Sequence, residues 1–161
     1  MKKFLQKLIA HVQGDPELWA STAIFITTDE GGGYYDSGYI QPLDFFGDGT
    51  RIPFIAVSPY AKKGHVDHTY YDHVSPAKFI EKNWDLPRIS QRSRDNLPNP
   101  RTDHDNAYVP ENGPAIGDLM NLFTFDHDGD DRDRDHGAIA TSRSRRFKIG
   151  QPIALANHRR S

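Results

Sequence analysis

The sequence predicts an α/β fold in which helices cover both faces of a mostly parallel sheet. Two apolar runs rich in β-branched and aromatic residues, at 22–28 and 53–58, are typical of buried strands. A long connection joins the two runs, which favours a crossover between parallel strands over a hairpin. Two segments with apolar residues at helical spacing, 3–13 and 74–84, are predicted to be amphipathic helices that pack on the sheet.

The ends of the two predicted helices carry recognisable signals. The opening, MKKFLQKLIA, begins like a signal peptide, but polar residues interrupt its apolar part and no small-residue cleavage site follows. We therefore interpret it as an amphipathic helix that ends near Gly14. In the second helix, Ser75-Pro76 suits the cap and the first helical position, and Phe79 and Ile80 are predicted to face the core.

The remaining segments lack helix or strand periodicity. Residues 37–50 and 61–72 are predicted to be long loops, which in compact domains are usually functional or disordered; the aromatic residues of the first argue against disorder. Residues 88–114 are predicted to wrap over the surface, and residues 116–125 to hold one short apolar helix. From 127 to 161 the composition shifts to mixed charge, which is typical of a poorly ordered tail.

Composition excludes several classes of protein. The chain has 161 residues, enough for one domain with its own core, and a net charge of -2, which favours neither nucleic acid nor an anionic membrane as a partner. It contains no cysteine, so disulfides and thiolate metal sites are excluded. No apolar run reaches the length of a transmembrane segment.

Two acids, Asp29 and Glu30, directly follow the first predicted strand, and three glycines follow them. In open α/β sheets, ligands bind beyond the carboxyl ends of the strands, and glycines let the backbone turn sharply there. Adjacent carboxylates repel each other unless a positive group lies between them, and a divalent cation with oxygen ligands is the simplest such group. The pattern favours a metal site over the alternative, a plain acidic turn.

The second loop carries histidines and lysines whose roles the sequence leaves open. His65 and His68 could serve a metal or donate to a phosphate oxygen, whereas His73 is better explained as part of the start of the following helix. Lys62 and Lys63 are expected to face solvent, with contact to an anionic substrate as the alternative.

Two further groups of charged residues have a functional and a structural interpretation. Arg92 and Arg94 could clamp a phosphate, but we favour bonds to Asp side chains or backbone carbonyls that hold the wrap in place. The alternating acids of the block that starts at Asp126 resemble a calcium loop. The twelfth position is Gly137 instead of Glu, which favours a solvated segment.

Several ordered motifs in this chain resemble one protein family. TAIFITTDEGGGYYD, GDGTRIPFIAVSPYAKKGHVDHTYYDHVSPAKFIEKNW, RSRDNLPNP and PAIGDLMNLF resemble the C-terminal part of the bacterial phosphoesterase family, which includes acid phosphatases and phospholipases C within the alkaline phosphatase superfamily. The resemblance covers residues 3–125. It implies a partial alkaline-phosphatase-like sandwich, in which residues 1–126 are the C-terminal part of a catalytic domain that hydrolyses phosphate ester bonds with the help of a metal.

The resemblance also assigns residues to the site. It implies that Asp29 and Glu30 bind one divalent metal ion, whose identity the sequence does not fix. Two-metal relatives have a His before the second strand, where this chain has 48–51 without one, and this favours a single metal ion. Five residues are the candidates for the substrate pocket: Gly31, Gly32, Tyr35, Asp36 and His68.

One expected part of the family pattern is missing. The family has a Glu-Asn pair near its N-terminus that supplies two further metal ligands, and a nucleophilic Ser or Thr on the next helix. Nothing like this precedes Asp29, and Glu111-Asn112 is followed by Gly-Pro and does not match. We therefore expect the nucleophile to lie in an N-terminal part that is absent from this chain. Thr27 and Thr28 lie beside the acids, but no adjacent base would activate them.

Two functions follow as hypotheses. The first is a metal-dependent phosphoesterase of which this chain is the C-terminal part. The second is a catalytically incomplete fragment that acts as a non-enzymatic module and binds a cation or an anion. Family members are often exported, but the chain carries no export signal, so its localisation is left open.

Overall fold

A computed structural model describes residues 2–103 and 106–125, and the predicted tail at 127–161 lies outside them, as does the acidic block that starts at Asp126. The chain divides into two compact units, whose described parts are residues 2–22 and residues 23–125 with the same gap. No helix among these residues is long and apolar enough to cross a lipid bilayer.

The first unit consists of two helices, α1 (Lys2–Gln13) and α2 (Pro16–Ala20). The first confirms the helix predicted at 3–13; its packing on the sheet stays a prediction. The second begins at a strong cap, because a carboxylate oxygen of Asp15 accepts bonds from the amides of Glu17 and Leu18, both at 3.1 Å. Pro16 occupies the first turn, where its missing N–H costs nothing.

The second unit is built on a small antiparallel sheet, so the predicted parallel arrangement is wrong. Strand β1 (Ile24–Thr27) pairs with β2 (Phe54–Val57), and Ile24 lies opposite Val57. Both strands were expected at these positions, but no crossover helix joins them. The connection is an irregular loop that returns the chain to the end where β1 stops, so β2 runs back along it.

The remaining elements of this unit are one helix, a second strand pair and two short 3₁₀ turns. Helix α3 (Ser75–Trp84) confirms the helix predicted at 74–84, but the predicted cap is wrong, because Val74 is the N-cap and no side chain caps the helix. Strands β3 (Thr102–Asp103) and β4 (Asn106–Pro110) form an antiparallel ladder inside the segment that was predicted to be an irregular wrap. The 3₁₀ turns span Arg94–Asn96 and Met120–Leu122.

The short apolar helix predicted at 116–125 is wrong except for a single turn. Leu119 has a φ of 63°, in the left-handed region, which an α-helix of L-residues does not accept. Leu119 is nevertheless completely buried, together with Ala115 and Ile116. The apolar character that suggested a helix therefore reflects burial of an irregular segment.

A cluster of phenylalanine rings joins α3 to the sheet. Phe79 of α3 is buried and lies edge-on to Phe25 of β1, with ring centroids 5.2 Å apart, and its ring is 5.3 Å from that of Phe123. Phe54 of β2 packs on Phe25 at 5.5 Å. The inward orientation predicted for Phe79 is confirmed, but Ile80 is 47% exposed and its predicted inward orientation is wrong.

Polar side chains hold the irregular segments on this core. The buried Gln41 amide donates to the carbonyl of Ala115 at 2.8 Å and accepts from its N–H at 3.0 Å. The Lys78 ammonium, also buried, donates to the carbonyls of Leu97 and Ile116 at 2.7 and 2.5 Å. Because unpaired buried carbonyls are costly, these bonds replace a regular hydrogen-bond ladder.

Arg94 holds the wrap to the first long loop, as the structural interpretation of this residue predicted. Its guanidinium donates to the carboxylate of Asp44 at 2.7 Å, to the carboxylate of Asp72 at 3.2 Å and to the carbonyl of Gly47 at 2.8 Å. These bonds use its donors within the protein, so Arg94 is not available as a phosphate clamp.

The buried Glu81 is expected to make the stability of this unit sensitive to pH. Its carboxyl is buried, and neither oxygen has a hydrogen-bond partner among the described residues. Burial, and then the neighbouring carboxyl of Asp95, raise the pKa of Glu81, against the opposing charge of Arg88, whose Nε is 4.0 Å away. A raised pKa in the folded state means that folding favours the protonated form.

The Glu81→Gln variant is expected to remove this pH dependence. In the wild type, the contribution of Glu81 is fully present below the pKa of an unfolded glutamate and is lost as the pH rises through the raised value. Urea unfolding between pH 4 and 8 should therefore show the variant gaining stability over the wild type as the pH rises. The exposed Asp85→Asn change is the control. A difference that stays constant with pH, or falls, would contradict this account.

Candidate functional site

A cavity of about 690 Å³ opens in the second unit, a size typical of small-molecule sites. Its wall includes the end of β1, parts of both long loops and the start of α3. Four tyrosines from distant parts of the sequence also line it: Tyr39, Tyr70, Tyr71 and Tyr108. The two loops that were predicted to be functional therefore meet at the position where the acid pair lies.

Asp29 and Glu30 both line this cavity, directly after β1. Both are exposed, and an Asp29 carboxylate oxygen accepts the backbone N–H of Glu30 at 3.0 Å. The backbone that precedes them is held by His73, whose Nε2 is 3.0 Å from the carbonyl oxygen of Thr28. The His73 ring therefore contacts the segment that leads to Asp29 and Glu30. The interpretation of His73 as part of the helix start did not include this contact.

The glycines after the acid pair are required by the local geometry. A Cβ at Gly31 would lie 1.8 Å from the hydroxyl oxygen of Thr50, so a larger residue would require the Thr50 side chain to move. Gly32 and Gly33 have φ values of 64° and 76°, a region that favours glycine. The chain can therefore turn away immediately after Glu30 and leave both acids at the cavity.

The other acids that line the cavity already have partners. Asp48 accepts from the Tyr70 hydroxyl at 2.9 Å and lies 3.6 Å from Arg94. Asp67 accepts from the Tyr71 hydroxyl at 2.8 Å, and Asp72 bonds to Arg94. In contrast, no ion pair joins Asp29 or Glu30 to any described residue. Their negative charge is therefore not compensated by any cation among the described residues.

The two tyrosines that hold these acids remain protonated. Burial, and also the hydrogen bond to Asp48, raise the pKa of Tyr70 well above its usual range. Burial and the hydrogen bond to Asp67 do the same to the pKa of Tyr71. Because their pKa values are raised, both phenols are neutral hydrogen-bond donors that orient the two carboxylates, and a protonated phenol is a poor nucleophile.

The predicted pocket residues fall into two groups. Gly31 and His68 line the cavity, and the His68 ring packs edge-on to Tyr108 with centroids 4.7 Å apart. Gly32, Tyr35 and Asp36 are not among the lining residues; Tyr35 is 93% exposed.

Asp36 has a structural partner instead of a ligand. It accepts from the Arg51 guanidinium at 2.5 Å and from the Arg51 backbone N–H at 2.8 Å. These bonds, and that from the amide of Gly38, hold the pKa of Asp36 well below its usual range. The Asp36 carboxylate thus links the segment that follows Glu30 to the segment that leads into β2.

The acid pair fits part of the ligand set of a hard divalent cation. Carboxylate oxygens are the ligands that such ions prefer, and the two acids carry no competing cation. The described residues contain no group of three or more His, Cys, Asp or Glu side chains that could hold a metal ion. A cation at Asp29 and Glu30 would therefore need further ligands, since about six oxygens are usual.

The hydroxyl of Thr27, at the end of β1, is not activated. The Thr27 side chain donates to the carbonyl of Pro53 at 2.9 Å, which is not a base that could accept its proton during attack. Thr27 therefore lacks the adjacent base that would activate it as a nucleophile.

The chain belongs to the Phosphoesterase family, whose model matches residues 1–87. This confirms the resemblance seen in the motifs, and the matched region contains the acid pair, both long loops and α3. The chain is 26% identical over 149 residues to the hemolytic phospholipase C of Pseudomonas aeruginosa. This alignment covers 79% of the chain and 18% of the relative.

Two further relatives have similar names. The chain is 27% identical over 148 residues to the non-hemolytic phospholipase C of Burkholderia pseudomallei, covering 76% of this chain and 19% of the relative. It is 27% identical over 138 residues to phospholipase C B of Mycobacterium tuberculosis, covering 69% and 23%. The chain thus spans about a fifth of the length of the curated relatives that it matches.

Proposed function

We propose that this chain supplies part of the active site of a metal-dependent hydrolase that cleaves phosphate ester bonds, and that Asp29 and Glu30 bind the metal ion. The observation that carries the proposal is the pair of carboxylates, uncompensated by any cation among the described residues, at a cavity of about 690 Å³. Membership of the Phosphoesterase family, and relatives named phospholipase C, support the reaction class.

The residues of this chain would bind and orient, while the bound cation would act as a Lewis acid on the phosphoryl oxygens. Asp29 and Glu30 hold the cation, and the contact between His73 and the Thr28 carbonyl fixes the backbone before them. The loops at 37–50 and 61–72 form walls of the cavity and would select the ester, whether a monoester or a diester.

The nucleophile and the remaining metal ligands would come from the N-terminal part of a longer enzyme. Thr27 is committed to a carbonyl, and the described residues offer no third grouped ligand. In that enzyme the second unit would be part of an alkaline-phosphatase-like sandwich. The bond of Thr27 to a carbonyl and the lack of a third grouped ligand among the described residues also favour a second candidate function for the chain by itself. This candidate is a non-enzymatic module that binds a cation or an anion.

Titration of this chain with Mn²⁺, followed by electron paramagnetic resonance, tests the metal assignment. We expect one weak site, because two carboxylates leave most of the coordination shell to water. Asp29→Asn and Glu30→Gln should each weaken binding about tenfold or more, and Asp85→Asn, which removes the same charge from an exposed helix end, should not. Unchanged affinity in both site variants would show that the acids are only a turn.

A further inference from the structure

We infer that Lys62 forms a binding site for the anionic oxygens of a phosphate ester inside the cavity, an inference that rests on the proposed function. The starting point is the distribution of positive charge in the wall. The cavity is lined by Arg51, Lys62 and three histidines, His65, His68 and His73. A phosphate ester needs a cationic or N–H partner, and these side chains are the candidates.

Most of these groups are already engaged. Arg51 bonds to Asp36 through two nitrogens, so its charge is balanced. The Nε2 of His65 is 4.0 Å from a carboxylate oxygen of Asp67, and the Nε2 of His73 is bonded to the Thr28 carbonyl.

Lys62 differs from these residues. It has no ion pair to any residue in the described part of the chain. The remaining histidine, His68, packs its ring against Tyr108. Of the lysine and arginine side chains that line the cavity, Lys62 is therefore the one without a carboxylate partner among the described residues.

The backbone fixes Lys62 at the cavity. Its N–H donates to the carbonyl of Leu122 at 2.9 Å, and the N–H of Thr124 donates to the carbonyl of Tyr60 at 2.9 Å. Between these two bonds, Ala61 and Phe123 form an isolated antiparallel bridge. The backbone at Lys62 is therefore anchored at the cavity, so ligand binding by this side chain does not require the backbone segment to become ordered.

Lys63 provides a matched control within the same sequence. It is exposed, like Lys62, but it is not among the residues that line the cavity. Neutralising either lysine changes the net charge of the protein by the same amount, so a general electrostatic attraction of anions would weaken equally in the two variants. Only a specific anion site in the cavity would make neutralisation of Lys62 weaken anion binding more than neutralisation of Lys63.

The experiment measures binding of two small phosphate esters to this chain in EDTA, by ³¹P NMR titration. Methyl phosphate represents a monoester and dimethyl phosphate a diester, and EDTA separates the anion site from the metal site. We expect Lys62→Gln to weaken binding about three- to tenfold, because a charge-assisted contact at an exposed side chain is weaker than a buried one. Lys63→Gln should change binding less than about twofold, as expected for a screened surface charge.

The outcomes separate this inference from the proposed function. Binding of either ester that depends on Lys62 and not on Lys63 supports the inference, and the tighter of the two esters identifies the class of substrate. Equal effects of the two substitutions, or no binding by the wild type, would overturn it. Lys62→Gln should leave Mn²⁺ affinity unreduced, so a failed metal assignment appears in the acid variants and a failed anion site in the lysine variants.

Discussion

A phosphate ester incubated with this chain alone is expected to be hydrolysed at a negligible rate, about a thousandfold or more below that of a complete family member. The physical reason is the combination found at the cavity. Two acids can hold a cation weakly, but Thr27 is bonded to a carbonyl, and burial raises the pKa values of Tyr70 and Tyr71, which makes these phenols poor nucleophiles. Release of p-nitrophenol from p-nitrophenyl phosphate, with added Mn²⁺, measures the rate.

Fusion of the chain to the nucleophile-bearing part of a longer family member is expected to restore turnover. In that fusion, Asp29→Asn and Glu30→Gln should each lower the rate about 10²- to 10⁴-fold, since the metal contributes several kcal/mol to stabilisation of the transition state. Asp85→Asn should leave the rate unchanged. Turnover by the chain alone close to that of the fusion would contradict the account and would point to a nucleophile within this sequence.

Replacement of Phe79 by Ala is expected to cause the largest loss of stability in the second unit. Phe79 is 3% exposed, and its ring contacts those of Phe25 and Phe123, so the change removes the contact between α3 and the sheet. Truncation of a buried Phe typically costs about 3–5 kcal/mol, from lost transfer free energy and the cavity that remains. Urea unfolding monitored by circular dichroism gives the change in the free energy of unfolding.

The neighbouring Ile80→Ala variant is the control for this measurement. Ile80 is 47% exposed, so its truncation should cost about 1 kcal/mol or less. A loss of stability that is equal in the two variants would show that α3 does not pack through Phe79. A Phe79→Leu variant, expected to fall between them, keeps the comparison informative if the alanine variant fails to fold.

The sequence predicted the positions of the main elements better than their arrangement. Runs of β-branched and aromatic residues identified β1 and β2, although both strands are half-buried and not buried as predicted. The direction of pairing depends on how the connection at 28–53 folds. That connection is ordered by contacts distant in sequence, such as that of Arg94 with Asp44. Similarly, the left-handed Leu119 interrupts the apparent helix at 116–125, and Leu is a residue type that rarely adopts this conformation, so the sequence does not indicate the break at that position.

In the candidate site, the local sequence indicated some residues, whereas others are brought there by contacts that are distant in the sequence. Asp29 and Glu30 were recognisable because a strand end, two acids and three glycines coincide. Tyr108 lines the same cavity from β4, and no local signal indicated that strand. Asp36 had the features of a pocket residue, but its partner Arg51 lies beyond the loop, and the pairing could not be inferred from spacing.

The proposal that Asp29 and Glu30 bind the metal ion is tested most directly by locating the bound ion in this chain. Bound Mn²⁺ broadens NMR signals of nearby nuclei, so a titration of the ¹⁵N-labelled protein maps the site residue by residue. The account predicts that the backbone amides of Glu30 and Gly31 broaden first and that Asp29→Asn abolishes this selectivity. Broadening that centres on other acids, or that persists unchanged in Asp29→Asn, would contradict the assignment of the acid pair as metal ligands.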